Sequence, residues 1–301
     1  KQSHFLQYPP GTETVYSYIE SRGGKFDKMV FFGIQAFLKQ LKPVTKEDVN
    51  MAEKLVVAHG FKFNREGWDY IVNELGGNLP VEIRALREGS VVPVSIPVLT
   101  IENTDPKCYW LTSFLETALL RAVWYPSTVA TISWHARKII YASLQETCDN
   151  PDAEIDFKLH DFGARGVSSG ESAAIGGLAH LINFMGTDTM EALVAAIEFY
   201  NATGVVGFSI PAAEHSTITS WGRENEVSAY ANMVYQFSVP GSMFAVVSDS
   251  YDIFNAVSNI WGKELKEEVI AAGGRLVVRP DSGVPHIVVL DVVERLGATF
   301  G

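Results

Sequence analysis

Cysteine is nearly missing from this chain: Cys108 and Cys148 are the only two in 301 residues, and they stand in no CxxC or other metal-ligand spacing. That excludes a disulfide framework and a structural zinc site, and makes a reduced, cytoplasmic setting the expectation. Long apolar runs are missing too. No stretch approaches the roughly 18 residues that a membrane span needs, and the opening Lys1-Gln2-Ser3-His4 does not read as a signal peptide. Positive charge is scarce, with 24 Lys and Arg against 35 Asp and Glu and a formal net charge of -11. Unspecific binding of nucleic acid or of an anionic membrane is therefore not expected, and an anionic substrate would need a local cluster of Arg, Lys and helix amino ends. His-x-His, HExxH, Gly-x-Ser-x-Gly and Walker patterns do not occur, which removes support for zinc hydrolase, serine hydrolase and P-loop chemistry.

What the chain has is a rhythm. The apolar residues Val205, Val206, Phe208 and Ile210 stop at Pro211, and Glu214, His215, Ser216 and Thr217 follow before a helix-like segment resumes. A buried strand delivering polar groups from its carboxyl end reads this way. Leu159 is likewise followed by His160-Asp161-Phe162-Gly163-Ala164-Arg165, Phe184 by Gly186-Thr187-Asp188, Val247 by Ser248-Asp249-Ser250, and Val278 by Arg279-Pro280-Asp281. Successive intervals from Asp161 through Asp188, His215, Asp249 and Asp281 are 27, 27, 34 and 32 residues, about one strand-plus-helix unit each (roughly 30 residues). The expected fold is a parallel α/β sheet or barrel with a polar rim, the place where such folds put their chemistry. About five units fit after Asp161, short of the roughly 250 residues of a closed eight-fold barrel. The sheet is therefore open, or the C-terminal part of a barrel lies beyond Gly301.

Residues 1–150 lack the rhythm and read as an α+β domain with a helical connection, ahead of a barrel domain at 151–301. Residues 14–20 alternate as a half-buried strand, and Thr45 with Asp48 forms a capping box for a helix facing inward through Val49, Ala52, Leu55 and Val56. Leu79 to Thr104 alternates again, with Pro93 and Pro97 confined to edge or bulge positions. Two helices broken near Tyr125-Pro126 are expected between Leu111 and Gln145, and Asp149-Asn150-Pro151-Asp152 is the candidate hinge. A second capping box, Ser168 with Glu171, starts a helix of small residues, and further helices are expected at 190–199 and 251–261.

The strand-end set of His160, Asp161, Arg165, Asp188, Glu214, His215, Asp249, Arg279 and Asp281 mixes both signs of charge. Any one of these alone reads as a structural ion pair, whereas five consecutive units carrying them point to function. His215 by itself fits a metal ligand, a general base, a nucleophile or a hydrogen-bonded rim histidine. Gly163-Ala164-Arg165-Gly166 before a capped helix is a weak anion-site signal.

In chain order, Leu159–Gly166, Phe184–Thr189, Ser209–Ser216, Val247–Asp252 and Val278–Gly283, with Gln7-Tyr8-Pro9-Pro10 and Glu102-Asn103-Thr104-Asp105-Pro106, resemble the nicotinamide phosphoribosyltransferases of the type II phosphoribosyltransferase family. The resemblance implies an α/β barrel, incomplete in this chain, with an N-terminal α+β domain, acting as a homodimer with active sites at the interface. It implies transfer of ribose 5-phosphate from phosphoribosyl pyrophosphate to nicotinamide with Mg²⁺, coupled to ATP hydrolysis. Position by position, Phe162 would stack on the pyridine ring, whose other face is covered in the family by a tyrosine upstream of Lys1. Asp188 would accept from the carboxamide. Arg279 would line the ring pocket and meet phosphate, and Arg165 and Arg22 would contact phosphates, Arg22 from the partner subunit. Asp249 and Asp281 would serve the ribose, the metal and the diphosphate, and His215 would be phosphorylated by ATP. Ser209, Ala212 and His160 complete the implied substrate-binding set, and Ala164 stands where the family often has an aromatic. The alternatives are nicotinate or quinolinate phosphoribosyltransferase and a non-catalytic barrel-derived binding protein.

Overall fold

The computed structural model describes residues 3–301, and the chain divides into two compact units, Lys1–Phe208 and Ser209–Gly301. The first unit opens with β1 (Tyr16–Glu20) and β2 (Lys28–Val30), then α1 (Ile34–Gln40), α2 (Lys46–Ala58) and α3 (Arg65–Glu74). Thr45 and Asp48 cap α2 reciprocally as the sequence indicates, but of its expected inward face only Val49 is fully buried and Leu55 is exposed. Strands β3 (Val81–Ala85), β4 (Val91–Pro93) and β5 (Pro97–Asn103) follow. β5 lies between β1 and β3 in an antiparallel sheet, and its register slips where Glu20 meets Pro97, so this proline occupies a bulge. Pro93 ends a strand paired only with β2.

A single 37-residue helix, α4 (Leu111–Thr147), replaces the two helices expected around Pro126. Proline costs an interior helix one hydrogen bond and crowds the preceding turn; here the surrounding packing holds the helix through it. Pro126 is buried against Gly33, where a Cβ would come within 2.3 Å of the proline ring and 2.4 Å of the Ala122 carbonyl oxygen. The hydroxyls of α4 also satisfy the backbone beside β2. Ser127 Oγ accepts from the Phe32 N–H and donates to the Phe32 carbonyl, each at 3.0 Å, and Thr131 Oγ1 accepts from the Val30 N–H at 2.9 Å.

After α5 (Pro151–Glu154), in the expected hinge, the unit continues through β6 (His160–Asp161), α6 (Gly170–Leu181), β7 (Gly186–Thr187) and α7 (Met190–Tyr200). Residues 151–208, grouped with the barrel in the sequence reading, share this unit because α4 packs on α6 and α6 on α7 around Ala130, Leu178, Ala179, Ala192 and Ala195. Ser169, not Ser168, caps α6, accepting from the Ser172 N–H at 3.2 Å. β6 pairs with β7 in parallel and Gly186 bridges in parallel to Phe208. Val205 and Phe208 are exposed, so the run before Pro211 is an irregular stave with isolated bridges and not a buried strand.

The second unit holds α8 (His215–Thr219), α9 (Glu226–Phe237), β8 (Met243–Val247), α10 (Ile253–Asn255), a π-helical stretch Ala256–Glu264, α11 (Lys266–Ala272), β9 (Arg275–Arg279) and α12 (Pro285–Phe300). Ala212 bridges in parallel to Ala245 and β8 pairs in parallel with β9, over a core of Tyr230, Phe244, Val246, Ile260 and Trp261. Strand–helix alternation with parallel pairing in chain order is therefore present in each unit. Among the described residues, no helix is long and apolar enough to cross a membrane.

Ser127→Ala removes both partners of the buried Phe32 peptide groups. A loss of about 1 to 3 kcal/mol is expected, the cost of leaving buried backbone unpaired. Urea unfolding of the full chain measures it, and an unchanged midpoint would mean that these bonds are dispensable.

Candidate functional site

In the first unit the carboxyl ends of β6 and β7 bring His160, Asp161, Phe162 and Asp188 together. The parallel pairing sets His160 beside Gly186 and Asp161 beside Thr187. His160 Nε2 lies 2.9 Å from Asp188 Oδ1, and since an ionised carboxylate only accepts, the ring nitrogen donates. The Phe162 ring leans on the His160 ring at 4.5 Å and 37°, and stands 55% exposed. Gly186 makes the arrangement possible, because a Cβ there would come within 2.7 Å of His160 Nδ1. Asp161 faces back into the fold, its Oδ2 accepting from the Thr187 hydroxyl at 3.1 Å and its Oδ1 from the Gly163 N–H at 2.8 Å. That second bond occupies one of the amides of the glycine run. Arg165 is exposed on the 3₁₀ turn Gly163–Gly166.

Arg22 is elsewhere in the same unit. With Lys25 and Lys28 it lines a cavity of about 1060 Å³ whose other wall includes Trp124 and Thr128 of α4. The structure thus joins four predicted residues of the first unit and sets Arg22 apart from them.

In the second unit the ends of β8 and β9 meet the start of α8. His215 is the first residue of α8, with Nδ1 2.9 Å from the Ser250 hydroxyl and Nε2 3.2 Å from Asp281 Oδ2 and 3.9 Å from Asp249 Oδ1. Asp249 is buried, its side chain only 4% exposed. Its Oδ2 accepts from the Asp281 N–H at 3.0 Å and from the Ser282 hydroxyl at 2.6 Å, while its Oδ1 is buried with no hydrogen-bond partner. Burial pushes the Asp249 carboxyl up, but the Ser282 hydroxyl, the amides of Asp281 and Ser282 and the nearby His215 outweigh it and hold the group below the ordinary carboxylate range. Arg279, in register with Val247, also carries a buried Nε without a partner. Glu214 caps the start of α8, its N–H donating to the Thr217 hydroxyl at 3.1 Å. Ser209 and Ala212 are both exposed just before it.

Two unpartnered buried polar atoms in one unit, an acceptor on Asp249 and a donor on Arg279, suit a ligand that carries both charge signs, such as a metal-bound phosphate. Among the described residues, no group of three or more His, Cys, Asp or Glu side chains is disposed to hold a metal ion. A cation here would therefore draw part of its coordination from the ligand. Sequence reasoning missed Ser250, Ser282 and Gly186. The hydroxyls adjoin Asp249 and Asp281 in the chain, and that adjacency was the available signal.

Because the folded carboxyl of Asp249 titrates low, its contribution to stability is complete above the unfolded value of about 3.9 and is lost as pH falls through the folded value. The stability difference between wild type and Asp249→Asn should be larger at pH 7 than at pH 3. Urea unfolding at both values tests this, and a difference independent of pH would contradict it.

Residues 157–301 match the Nicotinate phosphoribosyltransferase (NAPRTase) family, and residues 1–83 match the Nicotinamide phosphoribosyltransferase N-terminal domain. The chain is 56% identical over its whole length to a protein named nicotinamide phosphoribosyltransferase from Xanthomonas campestris, of which it covers 64%. It is 34% identical over 95% of its length to one of the same name from Acinetobacter baylyi, covering 61% of it. The chain therefore spans a little under two thirds of these curated relatives. Among solved structures, human nicotinic acid phosphoribosyltransferase aligns over 99% of this chain and 63% of its own, at 18% identity and TM-score 0.57. Nicotinate-nucleotide pyrophosphorylase from Pyrococcus furiosus aligns over 94% of this chain and 56% of its own, at 17% identity and TM-score 0.54. The fold is thus that of the type II phosphoribosyltransferases, and by sequence this chain is similar to nicotinate and nicotinamide phosphoribosyltransferases.

Proposed function

We propose that the whole protein transfers the 5-phosphoribosyl group from phosphoribosyl pyrophosphate to nicotinamide, giving nicotinamide mononucleotide and pyrophosphate. The observation that carries this reading is the Asp188 carboxylate, held by His160 beside the exposed Phe162 ring. An aromatic face and an oriented acceptor suit a flat ring bearing an amide. Phe162 stacks on the ring and Asp188 accepts the carboxamide N–H. A carboxylate in place of the amide would repel Asp188 by about 1 to 4 kcal/mol at 4 Å, between the limits of bulk water and a protein surface. Tenfold discrimination needs only 1.4 kcal/mol. Charge thus separates the amide from the acid.

Asp249 and Asp281 serve the sugar diphosphate. The bond from the anomeric carbon to pyrophosphate breaks as the ring nitrogen bonds to that carbon, and positive charge builds on the sugar between the two. Carboxylates beside it stabilise that charge, and Arg279, Arg165 and, from a second copy, Arg22 would meet the phosphates. Mg²⁺ fits the unpartnered Asp249 oxygen with Asp281, because this ion binds through one or two carboxylates plus substrate phosphates, and it would neutralise the leaving pyrophosphate. Ser209, Ala212 and His160 border the bound substrates.

ATP coupling enters through His215, whose side chain is 44% exposed. The γ-phosphoryl of ATP moves to a ring nitrogen of His215 with departure of ADP, and water later releases it as phosphate. A homodimer with interfacial sites, and a cytoplasmic setting consistent with two free cysteines, complete the reading.

In product assays by mass spectrometry, nicotinamide should exceed nicotinate at least tenfold in kcat/KM, and Asp188→Asn should narrow that ratio by raising turnover of nicotinate. Equal use of both bases would overturn the base assignment. Phe162→Ala should weaken nicotinamide by about 1 to 3 kcal/mol, the scale of aromatic stacking on a base. His215→Ala should abolish an ATP-dependent, acid-labile protein phosphate, and finding that label on another residue would remove His215 from the coupling step.

A further inference from the structure

One buried carboxyl in the second unit takes no part in the reaction described. Glu226, the first residue of α9, is 5% exposed, and its Oε1 accepts from the Tyr230 hydroxyl at 2.9 Å. The Tyr230 ring lies flat on the Trp261 indole, 4.6 Å apart at 3°. Trp261 Nε1–H donates to the Ser248 hydroxyl at 3.1 Å, and that hydroxyl donates to the Val246 carbonyl at 2.9 Å. The Ser248 N–H is held by the Arg279 carbonyl at 2.9 Å. Tyr230, Trp261 and Ser248 are fully buried.

Apolar side chains of similar volume would fill this core without burying an acid, a phenol and an indole N–H, so the polar chain is a standing cost. It ends one residue from Asp249, whose buried Oδ1 has no hydrogen-bond donor and has His215 Nε2 3.9 Å away. An unpaired carboxylate oxygen stays in a dry position only if its strand end cannot turn toward water. Asp281 and Ser282 hold the side chain from one direction, and Ser248 fixes the backbone from the other. Trp261 lies in the π-helical stretch Ala256–Glu264, a rare geometry frequently found at functional sites.

We infer that Glu226, Tyr230 and Trp261 are positioning residues, which act through Ser248 to hold the Asp249 oxygen that lacks a hydrogen-bond donor in place for a cation and its diphosphate. The inference rests on the proposed function for the identity of that ligand, while the hydrogen-bond chain stands independently of it. Trp261 supplies a donor that orients the Ser248 hydroxyl. Tyr230 fixes the indole plane by stacking, and Glu226 fixes Tyr230.

The test uses the full-length protein, with Mn²⁺ as the paramagnetic probe and pyrophosphate as co-ligand, titrated by electron paramagnetic resonance beside circular dichroism melts. Trp261→Phe keeps an aromatic ring and deletes the donor, and the melts separate the loss of volume from the loss of the hydrogen bond. It should weaken Mn²⁺ binding at least fivefold and lower kcat while KM for nicotinamide stays put. Tyr230→Phe, which deletes only a hydroxyl, should weaken Mn²⁺ in the same direction, and Glu226→Gln, which keeps an acceptor for Tyr230, should retain most of the wild-type affinity. Wild-type Mn²⁺ affinity in folded Trp261→Phe or Tyr230→Phe overturns the positioning role, as does a lowered melting temperature with binding and kcat unchanged. A wild-type protein that binds Mn²⁺ with this mutational pattern yet makes no nicotinamide mononucleotide would sink the transferase reading and support the positioning role.

Discussion

A carboxylate in a dry place has to be stabilised by donors, and the number of donors decides what is left over for a ligand. Asp249 has a hydroxyl and an amide on one oxygen and none on the other. Each isolated buried charge would cost several kcal/mol. The paired oxygen offsets that cost enough to keep the group ionised, as its lowered titration shows. The surrounding unit then reads as support for this one imbalance. β9 supplies Asp281 and Ser282 from its end, α8 brings His215 within 3.9 Å, and Ser248 is tied to Arg279 across the strand pair.

The first unit solves a different problem. Its carboxylate, Asp188, is partly exposed, so burial does not orient it and a partner must. His160 does so through one bond, and it can stand there because position 186 carries no side chain. The same economy appears behind it. A Cβ on Gly177 would come within 2.6 Å of Ala192 Cβ, and one on Gly207 within 2.7 Å of Thr187 Cγ2. Gly177 thus lets α6 press against α7, and Gly207 lets the following stave approach β7, a two-residue strand with few ladder hydrogen bonds of its own. Helix packing takes over the work that a longer ladder would do.

How much of this the sequence disclosed depends on range. The acids and imidazoles at the strand ends were legible because each follows an apolar run directly, and parallel pairing then brings β6 next to β7 and β8 next to β9. The capping box at Thr45 was equally local. Pro126 misled for the opposite reason: its penalty is local, whereas Gly33, 93 positions earlier, provides the space that keeps α4 whole. The run before Pro211 misled because apolar composition does not distinguish a ladder strand from a stave with isolated bridges. Ser250 and Ser282 were in plain view but silent, since a serine's partner is set by tertiary contact.

The chain from Glu226 to Ser248 extends that reasoning. Its members lie at positions 226, 230, 248 and 261, and each taken alone has an ordinary explanation as a helix start, a core aromatic, a strand end or a second core aromatic. Only coordinates show that the Tyr230 hydroxyl is held by Glu226, that its ring stacks on Trp261, and that the indole N–H is held by Ser248. A half-satisfied buried network is worse than an apolar core, so the series holds its form as a unit or not at all. That all-or-none character suits the residue it adjoins. A buried carboxylate oxygen without a hydrogen-bond donor keeps one position only while the strand end that carries it does not shift.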